Sequence, residues 1–359
     1  MIPFLQLKPG EDGDAVRGAI ERVVANGWFV LGPELESFER EFAIATDAPY
    51  AVGVGTGTDA IAIALRALGI GHGDEVITSP LSAAYSALAV MMAGARPVFA
   101  DIHPDRLTLD PDAVASAVTS RTAAILPVHL YGQAADMTAI SAIGSRHSLA
   151  IVEDCCQAHL ATCEGRPVGS FGVAAAYSFY PTKNLGALGD GGAMTFADAS
   201  LADKAKRLRN GGQTNKYQHS EFGVNSRLDE MQAAILRVRL TFLAQWTDTR
   251  RALARTYRQE LTGPLAVTVP GEHDGGHVYH LFPVLSPDRE RVRARLGAAG
   301  IETLIHYPVP IPRQPALASE APADCPVADR ICAEVFSLPL YPALPAASVR
   351  QVAAALRQS

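Results

Sequence analysis

The feature that most constrains the fold of this chain is the alternation, over its first two thirds, of short apolar runs with amphipathic segments. The runs are rich in β-forming residues: DEVITS, RPVFAD, TAAILPVHL, LAIVED and AAAYSFY, ending at residues 79, 101, 130, 154 and 180. Helical patterns precede or separate them: TDAIAIALRALG, YSALAVMMAG and DMTAISAIGSRH. This alternation predicts an α/β fold, with a mostly parallel central sheet covered by helices on both faces.

The last third of the chain has a different pattern. Helical spacing of apolar residues over 226–261 predicts one long helix that begins after the capping residues Asn225 and Ser226. Two short strands, AVTVP and VYHLFPVLS, and a helix at DRERVRARLGAAG are expected beyond it. We therefore expect a large domain at residues 1–240 and a smaller α+β domain at 241–359.

Composition argues against several classes of function. The net charge of −6 is spread along 359 residues and offers no basic stripe for nucleic acid and no polybasic anchor for a membrane. No apolar run reaches the roughly 18 residues of a membrane span, and the start MIPFLQLKPGEDGD lacks the layout of a signal peptide. We expect a cytoplasmic protein. The five cysteines have no C-x-x-C spacing, which favours free thiols over disulfides or a metal site.

The stretch AVGVGTGTDAIAIAL joins a predicted strand to a predicted helix through a glycine-rich turn. Backbone N–H groups at such a helix N-terminus favour an anion such as a phosphate, and Thr58 and Asp59 add a hydroxyl and a cap. A tight turn with an ordinary N-cap would give the same pattern. A dinucleotide fold is a further alternative, because the turn contains G-x-G-x-x-A. It is weakened because the next strand ends in TSP and not in the acidic residue which that fingerprint requires.

Two charged residues follow predicted strands in the same half of the chain. Asp154 ends a very apolar strand, where a carboxylate is costly without a partner. A pyridinium nitrogen and the first N–H groups of a helix that Asp154 would cap are equally good candidates. Lys183 follows AAAYSFY on a turn shaped by Pro181 and Thr182. Most lone lysines are solvated surface charges, but an amine on such a turn can form a Schiff base with a bound aldehyde. A phosphate turn, an aspartate and a lysine together meet the needs of pyridoxal 5′-phosphate (PLP).

These motifs resemble those of the DegT/DnrJ/EryC1/StrS family of nucleotide-sugar aminotransferases, which have the fold-type I PLP architecture. The resemblance covers almost the whole chain, in these ordered blocks: VVANGWFVLGPELESFEREFA, GTDAIAIALRALGIGHGDEVI, GARPVFADI, ILPVHLYGQ, IVEDCCQAH, SFYPTKNLGALGDGGA, GVNSRLDEMQAAIL, VYHLFPV, HYPVP and FSLPLYP.

The resemblance implies a role for each matching residue. Lys183 would form the imine with PLP and move the proton, Asp154 would pair with the pyridinium nitrogen, and Gln157 would contact the ring hydroxyl. The other matching residues fall at the cofactor phosphate (Gly57, Thr58, Asp59 and Ser178), at the partner subunit's phosphate (Asn225) and at the substrate (Tyr85, Lys216, Tyr217, His306 and Tyr307).

One departure from the family pattern follows the strand DEVI, where an aromatic residue usually stacks on the cofactor ring. Ala83 stands at that place, and Tyr85 follows two residues later. Either Tyr85 supplies the stacking, or the ring face is less covered than usual.

The resemblance implies PLP-dependent transamination of a keto-sugar linked to a nucleotide diphosphate, with L-glutamate as amino donor. It also implies a homodimer with two shared active sites. The motif QAH and the lysine loop favour amination of a 3-keto over a 4-keto sugar. The alternatives are a PLP-dependent sugar dehydratase, whose members carry histidine in place of the lysine, and a non-catalytic regulatory homologue that binds PLP or sugar. Lys183 argues against the first, and its combination with Asp154 and Gln157 argues against the second.

Overall fold

A computed structural model describes residues 1–357; residues 358 and 359, at the end of the expected small domain, lie outside the described residues. The helices are α1 (Gly13–Asn26), α2 (Pro33–Ala45), α3 (Gly57–Ala67), α4 (Tyr85–Met92), α5 (Pro111–Ala117), α6 (Met137–His147), α7 (Ala199–Arg209), α8 (Glu230–Leu240), α9 (Leu243–Glu260), α10 (Arg289–Ala298), α11 (Pro326–Glu334) and α12 (Ala346–Arg357). The strands are β1 (Tyr50–Val54), β2 (Glu75–Thr78), β3 (Arg96–Phe99), β4 (Thr122–Leu126), β5 (Ala150–Asp154), β6 (Thr162–Cys163), β7 (Arg166–Pro167), β8 (Ala174–Ser178), β9 (Gly192–Phe196), β10 (Gln213–Asn215), β11 (Gln218–His219), β12 (Phe282–Leu285) and β13 (Val335–Leu338).

Within residues 1–357, seven strands form a central sheet in the order β1-β9-β8-β5-β4-β2-β3. β9 is antiparallel to both of its neighbours, whereas the pairs from β8 across to β3 are parallel. The predicted mostly parallel sheet is confirmed. Because the parallel strands share one direction, their carboxyl ends meet at one edge of the sheet, where ligands of such folds bind.

Alternate residues of the sheet strands pack into two apolar cores, one on each face. Ala174 and Ala176 of β8 belong to one core together with α3, α4 and α7. Ala175 and Tyr177 belong to the other, together with α2, α6 and α8. Since burying one large apolar side chain contributes about 1.5–3 kcal/mol, these cores fix helices against both faces, as predicted.

The long helix predicted over residues 226–261 is two helices, α8 and α9, separated by Thr241 and Phe242. The first begins only at Glu230, after Asp229, so the capping roles expected for Asn225 and Ser226 are wrong. The Val238 carbonyl would accept the Phe242 N–H in a continuous α-helix. It instead accepts the Thr241 N–H at 3.2 Å and the Thr241 hydroxyl at 2.7 Å, and the Phe242 N–H donates to Arg239 at 3.0 Å. This competition from a side-chain hydroxyl ends α8, and the apolar spacing gave no sign of it.

The C-terminal part has its own core, built by α9, α10, α12 and the antiparallel pair β12–β13. The beginning of the chain joins this core, because Ile2 packs there and pairs with Ile301. The expected strand AVTVP is reduced to an isolated bridge between Thr268 and Leu285. The division of the chain at residue 240 stays a prediction.

None of the helices described within residues 1–357 combines the length and the apolar character needed to cross a lipid bilayer. The cytoplasmic location expected from the sequence stays a prediction.

Candidate active site

A cavity of about 1110 Å³ lies where the parallel strands end. Many of the residues singled out from the sequence line it: Gly57, Thr58, Tyr85, Asp154, Gln157, Ser178, Lys183, His306 and Tyr307. Typical small-molecule sites measure roughly 300–1,000 Å³. This cavity therefore lies just above the upper end of that range.

The glycine-rich turn forms one wall of the cavity. Thr56 caps α3, and its hydroxyl oxygen accepts the Asp59 N–H at 3.0 Å. A Cβ added to Gly57 would lie 2.7 Å from Cβ of Ser178 and 2.9 Å from Sγ of Cys156. Only glycine allows α3 to begin so close to the ends of β5 and β8. The N-terminus of α3, whose first N–H groups have no partner within the helix, thus reaches the cavity.

Asp154 is buried at the end of β5, with both carboxylate oxygens engaged. Oδ2 accepts the hydroxyl of Ser86 at 2.8 Å, and Oδ1 accepts the N–H of Cys156 at 3.1 Å. The second bond closes a turn, and no helix begins between β5 and β6, so the helix N-cap considered from the sequence is wrong. Sequence reasoning does not identify Ser86, because a serine in the first turn of a helix carries no sign of a partner 68 residues away.

Lys183 lies on the turn after β8, half-buried in the cavity wall. Its backbone N–H donates to the Tyr180 carbonyl at 2.8 Å, and its amine has no hydrogen-bond partner within residues 1–357. Burial lowers the pKa of the amine, while Cys156 and Asp154 oppose that shift. The amine therefore loses its proton more easily than a surface lysine, as a nucleophile or base requires.

Gln157 is fixed from two sides by groups distant in the chain. Its Oε1 accepts the N–H of Tyr131 at 2.8 Å, and its Nε2 donates to the hydroxyl of Tyr307 at 3.1 Å. The Tyr131 hydroxyl donates to the His306 carbonyl, so this buried tyrosine ties Gln157 to the loop of the HYP motif. Burial raises the pKa of Tyr307 to about 12. Burial, followed by the charge of Lys183, lowers the pKa of His306 to about 4, so both side chains are neutral at pH 7.

The position at which the family pattern has an aromatic residue, stacked on the cofactor ring, lies in the same cavity. Ala83 and Tyr85 both line it, and Tyr85 begins α4 with 63% of its surface exposed. The Tyr85 ring is therefore free to cover a ligand, and its stacking role stays a prediction.

Four of the expected residues do not line the cavity of this chain. Lys216 and Tyr217 join β10 to β11, and Tyr217 is 82% exposed. Asn225 is also exposed. Asp59 lies beside the cavity, where its carboxylate accepts the hydroxyl of Ser226 at 2.8 Å. The roles expected for these residues stay predictions.

A second polar cluster lies on the other face of β5. Ligand atoms of His129, Glu153 and Cys155 are all within 4.8 Å of one another and buried. The Glu153 carboxylate, however, accepts three backbone N–H groups from residues 169–172 at 2.7–2.8 Å and lies 3.1 Å from Nε2 of His129. Four partners engage the oxygens of this carboxylate, so its role is to anchor the loop before β8.

Comparisons with known proteins place these features in a family. A model of the DegT/DnrJ/EryC1/StrS aminotransferase family matches residues 11–357. A dTDP-3-amino-3,4,6-trideoxy-alpha-D-glucose transaminase from Streptomyces venezuelae is 48% identical, with 99% of this chain and 96% of the relative covered. The erythromycin biosynthesis sensory transduction protein EryC1 from Saccharopolyspora erythraea is 45% identical, with 99% of both chains covered.

A solved structure gives the same result for the fold. The crystal structure of S. venezuelae DesV in complex with a ketimine intermediate matches this chain with a TM-score of 0.97 and 47% identity. The match covers 99% of this chain and 98% of that one.

Proposed function

The chain belongs to the DegT/DnrJ/EryC1/StrS aminotransferase family, and we propose that it transfers an amino group from L-glutamate to a nucleotide-diphosphate-linked 3-keto sugar, with PLP as cofactor. The family and the fold-type I fold predicted from the motifs are confirmed. The observation that carries the proposal is one cavity that brings together Lys183, Asp154 and the N-terminus of α3.

The residues of the cavity fit the polar ends of PLP. The N-terminus of α3, with Thr58 and Ser178, suits the phosphate, since the helix dipole favours an anion and no side chain at Gly57 fills the space. The Asp154 carboxylate suits the protonated ring nitrogen. The half-buried amine of Lys183, unpaired within the described chain, suits the aldehyde.

Each residue then has a defined task in transamination. PLP, when bound, supplies the electron sink for the carbon that loses its proton. Lys183 accepts that proton as a neutral amine, which its burial favours, and delivers it again as an ammonium. Asp154 keeps the ring nitrogen protonated. Gln157, fixed by Tyr131 and Tyr307, presents its amide to the ring hydroxyl. Because the donor leaves its amino group behind and departs as a 2-oxo acid before the sugar binds, the expected kinetics are ping-pong.

The preference for a 3-keto sugar rests on two supports. The motif QAH, which contains Gln157, resembles that of family members which aminate 3-keto sugars, and the S. venezuelae relative is named as a 3-amino sugar transaminase. The size of the cavity, about 1110 Å³, accommodates a sugar beside the cofactor.

A regulatory homologue is the second candidate, because a relative of 45% identity is named as a sensory transduction protein. Retention of Lys183, Asp154 and Gln157 in one cavity favours the enzyme. The same lysine disfavours a sugar dehydratase, whose members carry histidine there.

We further propose that two chains share each site in a homodimer. Lys216, Tyr217 and Asn225 lie on the surface and not in this chain's own cavity. Large apolar side chains are exposed as well, among them Trp28 and Phe222, which is 88% exposed. Phe29 and Val30, which follow Trp28 in the chain, are exposed with it, and a contiguous exposed apolar surface is typical of association with another chain.

A spectroscopic titration tests the function. Purified chain loaded with PLP is mixed with L-glutamate, and the visible band of the cofactor is followed; an aminotransferase changes this band and releases 2-oxoglutarate. The aminated enzyme is then offered a panel of nucleotide-linked 3-keto and 4-keto sugars, and products are identified by mass. Lys183→Ala is the matched control. A band that L-glutamate leaves unchanged, with no amino sugar formed, would favour the regulatory homologue.

A further inference from the structure

Tyr131 is buried beside the cavity, and each of its polar groups binds a different part of the cavity wall. Its N–H donates to Oε1 of Gln157 at 2.8 Å, its carbonyl accepts the Leu281 N–H at 3.3 Å, and its hydroxyl donates to the His306 carbonyl. All three partners line the cavity. The φ of Tyr131 is +60°, in the left-handed region that residues other than glycine rarely adopt, so these contacts hold the tyrosine in an unusual conformation.

The N–H of Tyr131 determines how the amide of Gln157 is turned. A backbone N–H can only donate, so the side-chain oxygen of Gln157, and not its nitrogen, faces Tyr131. The nitrogen, Nε2, then donates to the hydroxyl of Tyr307 at 3.1 Å. Because Nε2 carries two hydrogens and Tyr307 takes one, the other remains for the ring hydroxyl of the proposed cofactor.

The loop of the HYP motif, residues 305–309, has few backbone supports. Its two ends are fixed, since Leu304 pairs with a residue of β13 and the Ile311 N–H donates to a distant carbonyl at 2.8 Å. Within residues 1–357, the Tyr131 hydroxyl makes the one hydrogen bond to the backbone between these ends. Burial raises the pKa of Tyr131 well above its usual value, so the hydroxyl keeps the proton that it donates.

We propose that Tyr131 is a positioning residue for substrate binding: its hydroxyl holds the HYP loop at a fixed distance from Gln157. One rigid side chain spans this distance, because its N–H binds Gln157 and its hydroxyl binds the His306 carbonyl. The hydroxyl acts on substrate affinity through His306 and Tyr307 and takes no part in the proton transfer by Lys183. The inference rests on the proposed function, in which the HYP loop contacts the substrate.

Tyr131→Phe tests the proposal, because it removes the hydroxyl and keeps both the ring and the N–H that binds Gln157. Tyr257→Phe is the matched control. The hydroxyl of Tyr257 is also a buried donor to a backbone carbonyl, that of Pro339 at 2.9 Å, and neither residue lines the cavity. Urea denaturation verifies that both variants fold.

The first readout separates substrate affinity from the rate of the chemical step. PLP-loaded chains are mixed with a series of L-glutamate concentrations in a stopped-flow instrument. In Tyr131→Phe the half-saturating concentration rises roughly 3- to 10-fold, the size of one neutral hydrogen bond. The limiting rate and the PLP affinity stay near the wild type. A role in stability alone would lower the amount of active protein and leave the half-saturating concentration unchanged.

The second readout requires neither PLP nor turnover. Diethyl pyrocarbonate modifies accessible neutral histidines, and burial, with the charge of Lys183, lowers the pKa of His306 to about 4, so its ring is neutral at pH 7. In PLP-free Tyr131→Phe the freed loop exposes this ring, and His306 reacts roughly 3- to 10-fold faster, measured by the mass of its peptide. The exposed His147 serves as the reference within the same chain.

Four results would overturn the inference: unchanged labelling of His306, an unchanged half-saturating concentration, equal changes in Tyr257→Phe, or a Tyr131→Phe chain that does not fold. The last would assign the hydroxyl to stability. Failure of the proposed function is recognised separately, by inactivity of PLP-loaded wild type toward L-glutamate. In that case the labelling of His306 alone decides the inference.

Discussion

Replacing Asp154 by asparagine removes the charge of the carboxylate and keeps its shape. In the native chain the two oxygens accept the Ser86 hydroxyl at 2.8 Å and the Cys156 N–H at 3.1 Å. The asparagine Oδ1 still accepts the Cys156 N–H, and the Ser86 hydroxyl can rotate to accept from the new amide. The free energy of unfolding of the PLP-free chain therefore changes by no more than about 1 kcal/mol.

The effect on the cofactor is much larger. A hydrogen bond between a carboxylate and a charged partner contributes about 1.5–3 kcal/mol, and about 1.4 kcal/mol corresponds to a factor of ten in affinity. Asp154→Asn therefore weakens PLP binding by roughly 10- to 100-fold. The glutamate half-reaction slows at least as much, because a ring nitrogen without its carboxylate loses its proton and the electron sink weakens.

Absorbance titration with PLP gives the affinity, stopped-flow with L-glutamate gives the half-reaction, and urea denaturation gives the stability. Ser86→Ala is the matched control: it removes one hydrogen bond of the same carboxylate but leaves the charge, and we expect it to retain most of the activity. Wild-type PLP affinity and rate in Asp154→Asn would show that the carboxylate only caps its turn.

Three further predictions concern the cavity and its supports. Lys183→Ala abolishes transamination, and borohydride no longer fixes PLP to the chain, as mass spectrometry will report; near-normal turnover would remove the lysine from the mechanism. Gly57→Ala adds a Cβ 2.7 Å from its nearest neighbour and lowers the free energy of unfolding, measured by urea denaturation, by about 1–3 kcal/mol. The control is Gly297→Ala, which lines the same cavity with nothing within 4 Å of the added Cβ and stays within about 1 kcal/mol of the wild type. Equal stabilities of the two variants would contradict the close approach at Gly57. Mixing inactive Lys183→Ala chains with impaired Asn225→Ala chains restores activity if two chains share each site. If no activity returns after subunit exchange has been verified, Asn225 acts only within its own chain.

Much of the fold could be predicted because it depends on local patterns. The two-residue alternation of AAAYSFY places Ala174 and Ala175 on opposite faces of the sheet, as the two cores confirm. Asp154 and Lys183 could be singled out because the first ends a strand and the second follows one, and parallel strands end at one edge of the sheet. The family followed from ordered motifs over almost the whole chain.

The tertiary structure alone decided which distant groups complete the cavity. Ser86 reaches Asp154 across 68 positions, and Asn184 meets His280 across 96. The break of the long helix at Thr241 likewise depends on which carbonyl its hydroxyl reaches. A hydrogen bond needs its two atoms within about 3 Å and in line, and only the packing of whole elements sets such distances. Periodicity gives the face on which a residue lies, but the partner on that face is fixed only when the chain has folded.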